Sequence, residues 1–231
     1  MVNHPITARW PAQNPAAIQL YSLPTPNGIK ASAMLEETGL AYEAHPVLIL
    51  QGDQMTPEFL SLNPNNKIPA LIDPKGPKGQ QIELFESGAI LIYLAEKSGT
   101  LLSDDPIERL HTLQWLMWQM GGVGPMFGQF GFFHKFAGKD MDDKLPFERY
   151  RDESIRLLNV LEKHLSDKTY MVGQAYSIAD LSIWPWVQTL NVFYEAGEVL
   201  AMDTRPATAA WLSRCLERPA SQAAINIPPR G

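Results

Sequence analysis

The chain of 231 residues is long enough for one large domain or two small ones, and its 45% hydrophobic content with six Trp predicts a packed core rather than disorder. Its net charge of −6 comes from mixed-sign residues without a Lys/Arg run, which disfavours nucleic-acid binding. No apolar stretch approaches the roughly 18 residues of a membrane span, and the N-terminus lacks a signal-peptide core, so no membrane partner is expected.

Cysteine usage limits the redox chemistry. The single cysteine, Cys215, rules out an intrachain disulfide and a CxxC centre, and it fits a reducing cytoplasm. Thiol chemistry in this protein would therefore use a thiol that a ligand brings.

The first half of the chain predicts a small α+β domain of βαβ-ββα order. Residues 1–17 show no periodicity and predict an extended arm on the surface or on a partner subunit. The domain that follows, residues 18–99, has predicted strands at 18–21, 42–48, from 70 and at 83–85, and helices at 29–38 and 87–98. Gly39 is expected to close the first helix.

The second half, residues 106–219, predicts an all-helical domain, and residues 220–231 a tail. The predicted helices are 106–121, 124–137, 147–166, 178–197 and 206–217. The sequence from Ser177 to Asp180 predicts a capping box, so we assign both residues to folding rather than catalysis.

Pro69 stands at the head of the apolar, strand-like residues 70–72. Proline lacks an N–H and is confined to strand starts and edges, so Ile68 is expected on exposed backbone without a pairing partner. An extended peptide could pair there as an added strand. A cis Ile68–Pro69 bond would hold this backbone outward, although cis is the minority state of such bonds.

Glu86 and Ser87 lie where a short strand ends and a helix begins. Ser87 is a candidate N-cap, and the N–H groups of a helix N-terminus favour a carboxylate. Glu86 offers an anion for an ammonium group. Together they predict a receptor for an α-amino-acid zwitterion, and the implied ligand is a short peptide with an exposed amino-acid head. The alternative is that Ser87 only caps the helix and Glu86 is a solvated charge.

The chain resembles the glutathione transferases in N-K-I-P-A-L at 66–71, F-E-S-G-A-I at 85–90 and S-I-A-D at 177–180. The resemblance covers about residues 18–219 and implies a thioredoxin-like domain followed by an all-helical domain. Three further segments, 23–28, 62–67 and 113–125, are similar to the bacterial Nu-class, or disulfide-bond-reductase-type, members.

The resemblance implies glutathione, reduced or oxidised, as co-substrate, and no metal. It implies γ-glutamyl contacts from Glu86 and Ser87, and pairing of the cysteine backbone at Ile68 and Pro69. It also carries over Gln54, Lys67 and Arg149 as glutathione-binding residues. Lys67 could instead be solvated, and Arg149 could form a surface ion pair.

Thiol activation is assigned to the segment before the first predicted helix. In the resembled subgroup the T-P-N segment lies at the sulfur, so Thr25 and Asn27 are the catalytic candidates. Ser22 is the alternative hydroxyl, and the alternative for Asn27 is a plain turn with a cap.

The function implied is a homodimeric glutathione-dependent disulfide-bond oxidoreductase or glutathione transferase that uses no protein cysteine. Its second substrate would be a small-molecule disulfide, peroxide or electrophile, so organic hydroperoxide reduction is a further expected activity. The alternative is a non-catalytic interaction or regulatory module with the same fold, because fold alone does not fix function.

Overall fold

The structure, a computed structural model, describes residues 4–229. These residues form two compact units, one of residues 4–100 and 219–229 and the other of residues 101–218. No helix among the described residues is both long and apolar enough to cross a membrane.

The first unit is built on a four-stranded mixed sheet. Its strands lie in the order β2-β1-β3-β4 and are β1 (Ile18–Ser22), β2 (Tyr42–Pro46), β3 (Ala70–Asp73) and β4 (Ile82–Phe85). β2 runs parallel to β1, whereas β3 runs antiparallel to both β1 and β4. All five residues of β1 are buried, as expected for a central strand covered on both faces.

Three helices follow the sheet strands: α1 (Pro26–Thr38), α2 (Pro57–Leu62) and α3 (Ser87–Ser98). α1 and α3 pack against each other. With the sheet they complete the βαβ-ββα arrangement expected from the sequence, so the α+β fold class is confirmed. α1 begins at Pro26, three residues earlier than its apolar periodicity predicted, because Thr25 caps it and proline suits the first helical position.

The second unit is helical in the described residues. Its helices are α4 (Pro106–Trp118), α5 (Gly124–Lys135), α6 (Leu145–Leu165), α7 (Ile178–Gln188) and α8 (Pro206–Leu216). π-helical turns at residues 119–123 and 189–193 extend α4 and α7. The helices predicted at 106–121 and 178–197 therefore end their α-helical parts earlier than the periodicity indicated.

Asp180 joins three segments of this second unit. Its carboxylate accepts hydrogen bonds from Met171 N at 2.8 Å, Ser177 N at 3.1 Å and Trp211 Nε1 at 2.8 Å. Ser177 also donates through Oγ at 3.0 Å, and the capping box at the start of α7 is complete. The assignment of both residues to folding agrees with these contacts.

The N-terminal segment packs within the first unit, which corrects the expectation of an extended arm. Residues 1–3 lie outside the described residues; Pro5–Ala8 form a 3₁₀ turn. Ile6 and Trp10 are buried in a cluster with residues of β1, β3 and α2. Trp10 Nε1 donates to the carbonyl of Pro46 at 2.9 Å. Periodicity could not reveal this segment, because separate side chains anchor it rather than one repeating face.

The C-terminal segment also differs from the predicted tail. Residues 219–224 form a further helix, α9 (Pro219–Ala224), which packs against α1. Ser32 Oγ on α1 donates to the carbonyl of Ala224 at 3.2 Å, and both residues are buried. Residues 230 and 231 lie outside the described residues. A tail prediction failed here because a six-residue helix is too short to show a clear period.

Replacing Asp180 tests whether this carboxylate organises the helical unit. We expect Asp180→Ala to lower the free energy of unfolding by about 3 kcal/mol or more, because it leaves several buried donors without an acceptor. Ser177→Ala, which removes only the cap hydroxyl, should cost about 1 kcal/mol. Urea unfolding followed by tryptophan fluorescence measures both losses. Equal losses for the two variants would contradict the organising role.

Candidate functional site

An open cavity of about 120 Å³ lies in the first unit. Three segments line it: the start of α1, the loop before β3, and the junction between β4 and α3. The lining residues are Asn27, Asn63, Asn65, Lys67, Ile68, Pro69, Glu86 and Ser87. Six of the nine residues predicted from the sequence are therefore brought together here, although they come from three distant segments of the chain.

Ile68 presents unpaired backbone at this cavity. The Ile68–Pro69 peptide bond is cis, and β3 begins only at Ala70. Within residues 4–229, no hydrogen bond reaches the N–H or C=O of Ile68. The side chain of Ile68 packs against the core beneath. The segment therefore offers one donor and one acceptor to an extended ligand while its side chain stays anchored.

The loop that delivers Ile68 is held by Asn63, a residue that the sequence reasoning did not single out. Asn63 is 2% exposed; its Nδ2 donates to Lys67 O at 2.5 Å and its Oδ1 accepts from Asn65 N at 2.9 Å. Asn66 adopts a positive φ of 49°, a conformation that asparagine tolerates. The available signal was the turn-forming sequence N-P-N-N at 63–66.

Glu86 and Ser87 form the junction between β4 and α3, with a correction to the predicted cap. Ser87 is the first residue of α3, and Glu86 occupies the N-cap position without a side-chain capping bond. Glu86 has a φ of 69°, which is costly for a residue with a Cβ and typical of constrained functional positions. Glu86 is exposed while Ser87 is 3% exposed, so the anion faces solvent and the hydroxyl lies deeper.

The start of α1 forms another wall. Thr25 Oγ1 accepts a hydrogen bond from Gly28 N at 3.2 Å, and Asn27 lies in the first helical turn rather than ahead of the helix as predicted. A Cβ on Gly28 would lie 1.9 Å from Leu23 O, so only glycine lets α1 approach the end of β1 this closely. Thr25 caps the helix but does not line the cavity.

Lys30 lies behind this wall and is not among the residues predicted from the sequence. Its side chain is fully buried, and its Nζ lies 3.3 Å from Ser87 Oγ. Burial lowers the pKa of Lys30 to about 7, and the negative charge of Glu86 opposes part of this shift. The only sequence signal was a lysine five residues after the cap Thr25, which is ordinarily a solvated helix position.

Three other candidates lie outside the cavity lining. Gln54 lies in the 3₁₀ turn Asp53–Met55, and its buried Oε1 accepts no hydrogen bond from residues 4–229. Arg149 belongs to the second unit, where it is exposed on α6 and lies 3.9 Å from Glu153. Ser22, the alternative hydroxyl, is fully buried and donates to Leu23 O at 3.3 Å.

The turn that carries Gln54 is fixed to the N-terminal segment. Arg9 forms an ion pair with Asp53, whose other oxygen accepts from Leu48 N at 2.8 Å. Asp53 is 5% exposed whereas the side chain of Arg9 is 44% exposed, so the carboxylate of this pair is shielded from water and the guanidinium is partly solvated. Across residues 4–229, no group of three or more His, Cys, Asp or Glu side chains is arranged to hold a metal ion.

Family models match both parts of the chain. The model "Glutathione S-transferase, N-terminal domain" matches residues 16–96, and "Glutathione S-transferase, C-terminal domain" matches residues 127–219. The chain belongs to the glutathione S-transferase family. The resemblance that its motifs predicted is thereby confirmed.

Similar members of the glutathione S-transferase family include disulfide oxidoreductases. The disulfide-bond oxidoreductase YfcG of Escherichia coli is 46% identical over 209 residues, which cover 90% of this chain and 94% of that protein. A glutathione transferase structure from Pseudomonas putida, with one glutathione disulfide bound per subunit, is 59% identical with a TM-score of 0.96 over 97% of each chain.

A second solved structure adds another ligand state. A glutathione transferase family member from Pseudomonas fluorescens, with two glutathione bound, is 56% identical with a TM-score of 0.97. The match covers 98% of this chain and 100% of that chain. The fold of the family is thus shared along nearly the whole of this chain.

Because Lys30 is buried, the free energy of unfolding of the protein should depend on pH, and the sign of this dependence can be predicted. Unfolding returns the pKa of Lys30 from about 7 to 10.5, so the unfolded chain binds more protons between these values and stability rises with pH. Between about pH 7 and pH 9 we expect an added slope of at most about 1.4 kcal/mol per pH unit. Tyr21 titrates above this window because burial raises its pKa.

Urea unfolding of wild type and Lys30→Met at several pH values measures this slope. Methionine has similar length and no charge, so the variant should lose the added slope and leave the titration of other groups in place. Parallel stability curves for the two proteins would show that Lys30 keeps an ordinary pKa.

Proposed function

We propose that the protein is a glutathione-dependent disulfide-bond oxidoreductase of the glutathione transferase family. The observation that carries the proposal is the unpaired backbone of Ile68 beside the Glu86–Ser87 junction in one cavity. Glutathione has the matching groups: a γ-glutamyl zwitterion at one end and a peptide backbone in its middle. The relatives named disulfide-bond oxidoreductase and the structures with bound glutathione support the same ligand class.

In this proposal each end of the ligand has a chemically suited partner. Glu86 attracts the γ-glutamyl ammonium, while Ser87 and the first N–H groups of α3 receive its carboxylate. Ile68, followed by Pro69, pairs with the cysteine backbone. Lys67 is exposed at the rim and suits the other carboxylate of glutathione.

Two further contacts rest on the family resemblance and remain part of the proposal. Gln54 has a buried oxygen that would gain a donor from the ligand, since an unsatisfied buried acceptor is costly. Arg149 is assigned to ligand contact only through the resemblance. Its neighbour Glu153 supports the alternative of a surface ion pair.

Thr25 and Asn27 are proposed to activate the thiol. A free thiol has a pKa of about 8.5, and lowering it by about two units requires roughly 2.7 kcal/mol of thiolate stabilisation. Thr25 Oγ1 already accepts from Gly28 N, so its own hydrogen can donate to a sulfur anion. The amide of Asn27 and the N-terminus of α1 add further donors. Ser22 is a weaker candidate because it is fully buried and bonded to Leu23.

The reaction is a thiol–disulfide exchange between small molecules. The bound thiolate attacks one sulfur of a disulfide, forms a mixed disulfide and expels the other sulfur as a thiolate that takes a proton. A second glutathione attacks the glutathione sulfur of the mixed disulfide, which releases the second thiol and oxidised glutathione. The same bound thiolate could attack the terminal oxygen of an organic hydroperoxide and release the alcohol, after which a second glutathione yields oxidised glutathione and water. It could also attack an electrophilic carbon, either by addition or with displacement of a leaving group.

Cys215 is excluded from this scheme. It is fully buried in α8 of the helical unit, where a small apolar side chain suits the packing. A single buried cysteine and a glutathione-dependent reaction support a cytoplasmic location, where glutathione keeps thiols reduced.

Turnover of a small disulfide with glutathione, measured beside hydroperoxide and conjugation assays, tests the scheme. We expect Asn27→Ala to lower kcat about tenfold or more while glutathione binding survives, because a lost hydrogen bond to an anion costs about 1.5–3 kcal/mol. Cys215→Ser is the control and should keep full turnover. A large loss in that control would contradict the cysteine-independent mechanism. Tight glutathione binding without any turnover in wild type would instead favour the non-catalytic interaction module.

We also propose that the protein is a homodimer, as is typical of its family. Helix α4 exposes Ile107, Leu110 and Met117 to 65%, 66% and 53%, and their spacing places them on one face. A row of large apolar side chains on one helix face supports a covered surface in solution.

Light scattering at micromolar concentration tests the dimer. Leu110→Asp should yield monomers, because a buried unpaired carboxylate is strongly unfavourable at an apolar interface. Leu145→Asp is the control, since Leu145 is 69% exposed at the start of another helix, α6. A monomeric wild type would remove the proposal.

A further inference from the structure

Lys30 has no part in the reaction described above, although it touches the proposed ligand site. Its side chain is fully buried, and its Nζ lies 3.3 Å from the hydroxyl of Ser87. A buried lysine is rare unless a partner stabilises its charge. Its position next to Ser87, the first residue of α3, suggests that its charge acts on the Ser87 hydroxyl and on the N-terminus of α3.

The chemistry of the two groups determines which one donates. A charged ammonium has only donors, so Ser87 Oγ must accept whenever Lys30 is protonated. The one hydrogen of the Ser87 hydroxyl then points to another acceptor. A neutral amine has a lone pair and can accept that hydrogen instead, which would turn the hydroxyl donor toward Lys30. The protonation state of Lys30 therefore sets the direction in which Ser87 donates.

We propose that Lys30 is a positioning residue for the carboxylate end of the ligand: its ammonium donates to Ser87 Oγ and thereby directs the Ser87 hydroxyl at the γ-glutamyl carboxylate. The inference rests on the proposed function, because that carboxylate belongs to bound glutathione. Lys30 need not touch the ligand, and its positive charge also adds to the partial charge at the α3 N-terminus.

The charges around Lys30 make this arrangement responsive to the ligand. β1, α3 and α9 pack against α1, and their titratable groups are Tyr21 on β1 and Tyr93, Glu96 and Lys97 on α3. Tyr93 and Lys97 are bound to Asp73, and α9 carries no titratable side chain. Within the described part of the chain, Glu86 is the group whose charge shifts the pKa of Lys30.

Ligand binding should therefore change the protonation of Lys30. Burial holds its pKa at about 7, so part of the population is neutral slightly above neutral pH. A carboxylate arriving at Ser87 favours the ammonium form, so that binding takes up a proton. The direction follows because an added negative charge raises the pKa of a nearby cation.

A matched pair of ligands isolates the carboxylate. S-methylglutathione has no ionisable thiol, and its analogue with hydrogen in place of the γ-glutamyl carboxylate keeps the ammonium. Titration calorimetry in two buffers of different ionisation enthalpy measures affinity and proton uptake together. For wild type at a pH slightly above 7, we expect uptake of a fraction of a proton with S-methylglutathione and much less with the analogue.

Substitutions then separate positioning from structural support. Lys30→Met should weaken S-methylglutathione about tenfold, the effect of one charge-assisted hydrogen bond, and leave the analogue unchanged. It should also abolish proton uptake. Lys30→Arg, which stays charged, should restore affinity without proton uptake. Lys97→Met is the matched control, since Lys97 also bonds a buried partner but lies outside the ligand site.

The possible results separate a failure of the positioning role of Lys30 from a failure of the proposed glutathione-dependent function. Equal weakening of both ligands by Lys30→Met would assign Lys30 a structural role and overturn the inference. Equal proton uptake by wild type with both ligands would overturn it without any variant, even if Lys30→Met fails to fold. Wild type that binds neither ligand would overturn the proposed function itself, and the inference with it.

Discussion

The site depends on one constraint: the backbone N–H and C=O of Ile68 have no hydrogen-bond partner among the described residues, while hydrogen bonds and core packing hold the chain on either side. Pro69 has no N–H to donate, and the side-chain amide of Asn63 donates a hydrogen bond to the carbonyl of Lys67. The side chain of Ile68 is anchored in the core beneath. These contacts hold one unpaired donor and one unpaired acceptor in place, and a binding edge that is positioned before the ligand arrives lowers the entropy cost of binding. The sheet then places the start of α3 beside this edge.

Two ionisable side chains of opposite type lie at the junction between β4 and α3, beside this edge. The carboxylate of Glu86 is exposed at the cavity, while the amine of Lys30, which is cationic when protonated, is buried behind it. Glu86 also holds a positive φ, so the junction between β4 and α3 carries both a backbone constraint and opposed charges. A zwitterionic ligand matches such a pair because its ammonium meets the exposed anion and its carboxylate meets the helix N-terminus backed by the cation.

Both ends of the chain pack against the first unit and do not extend away from it. Ile6 and Trp10 fill the core beneath β1, and the ion pair of Arg9 with Asp53 holds the turn that carries Gln54. At the other end, α9 packs on α1, the helix that carries Lys30 and the proposed thiol-activating residues. Segments that look featureless in the sequence thus support the elements of the site, one from each terminus.

The sequence by itself determined the α+β and helical parts, because glycine, proline and capping residues act locally and apolar periodicity is preserved in each element. Its motifs also indicated the family by resemblance, and six of the predicted site residues are among the eight that line the cavity. Local patterns could not predict that Lys30 is buried beside Ser87, since this burial arises only when α1 packs against α3. They also failed for Asn63, whose bonds span a loop, and for the chain ends, which are anchored by single side chains. Tertiary structure decided these because burial and pKa depend on groups distant in the chain.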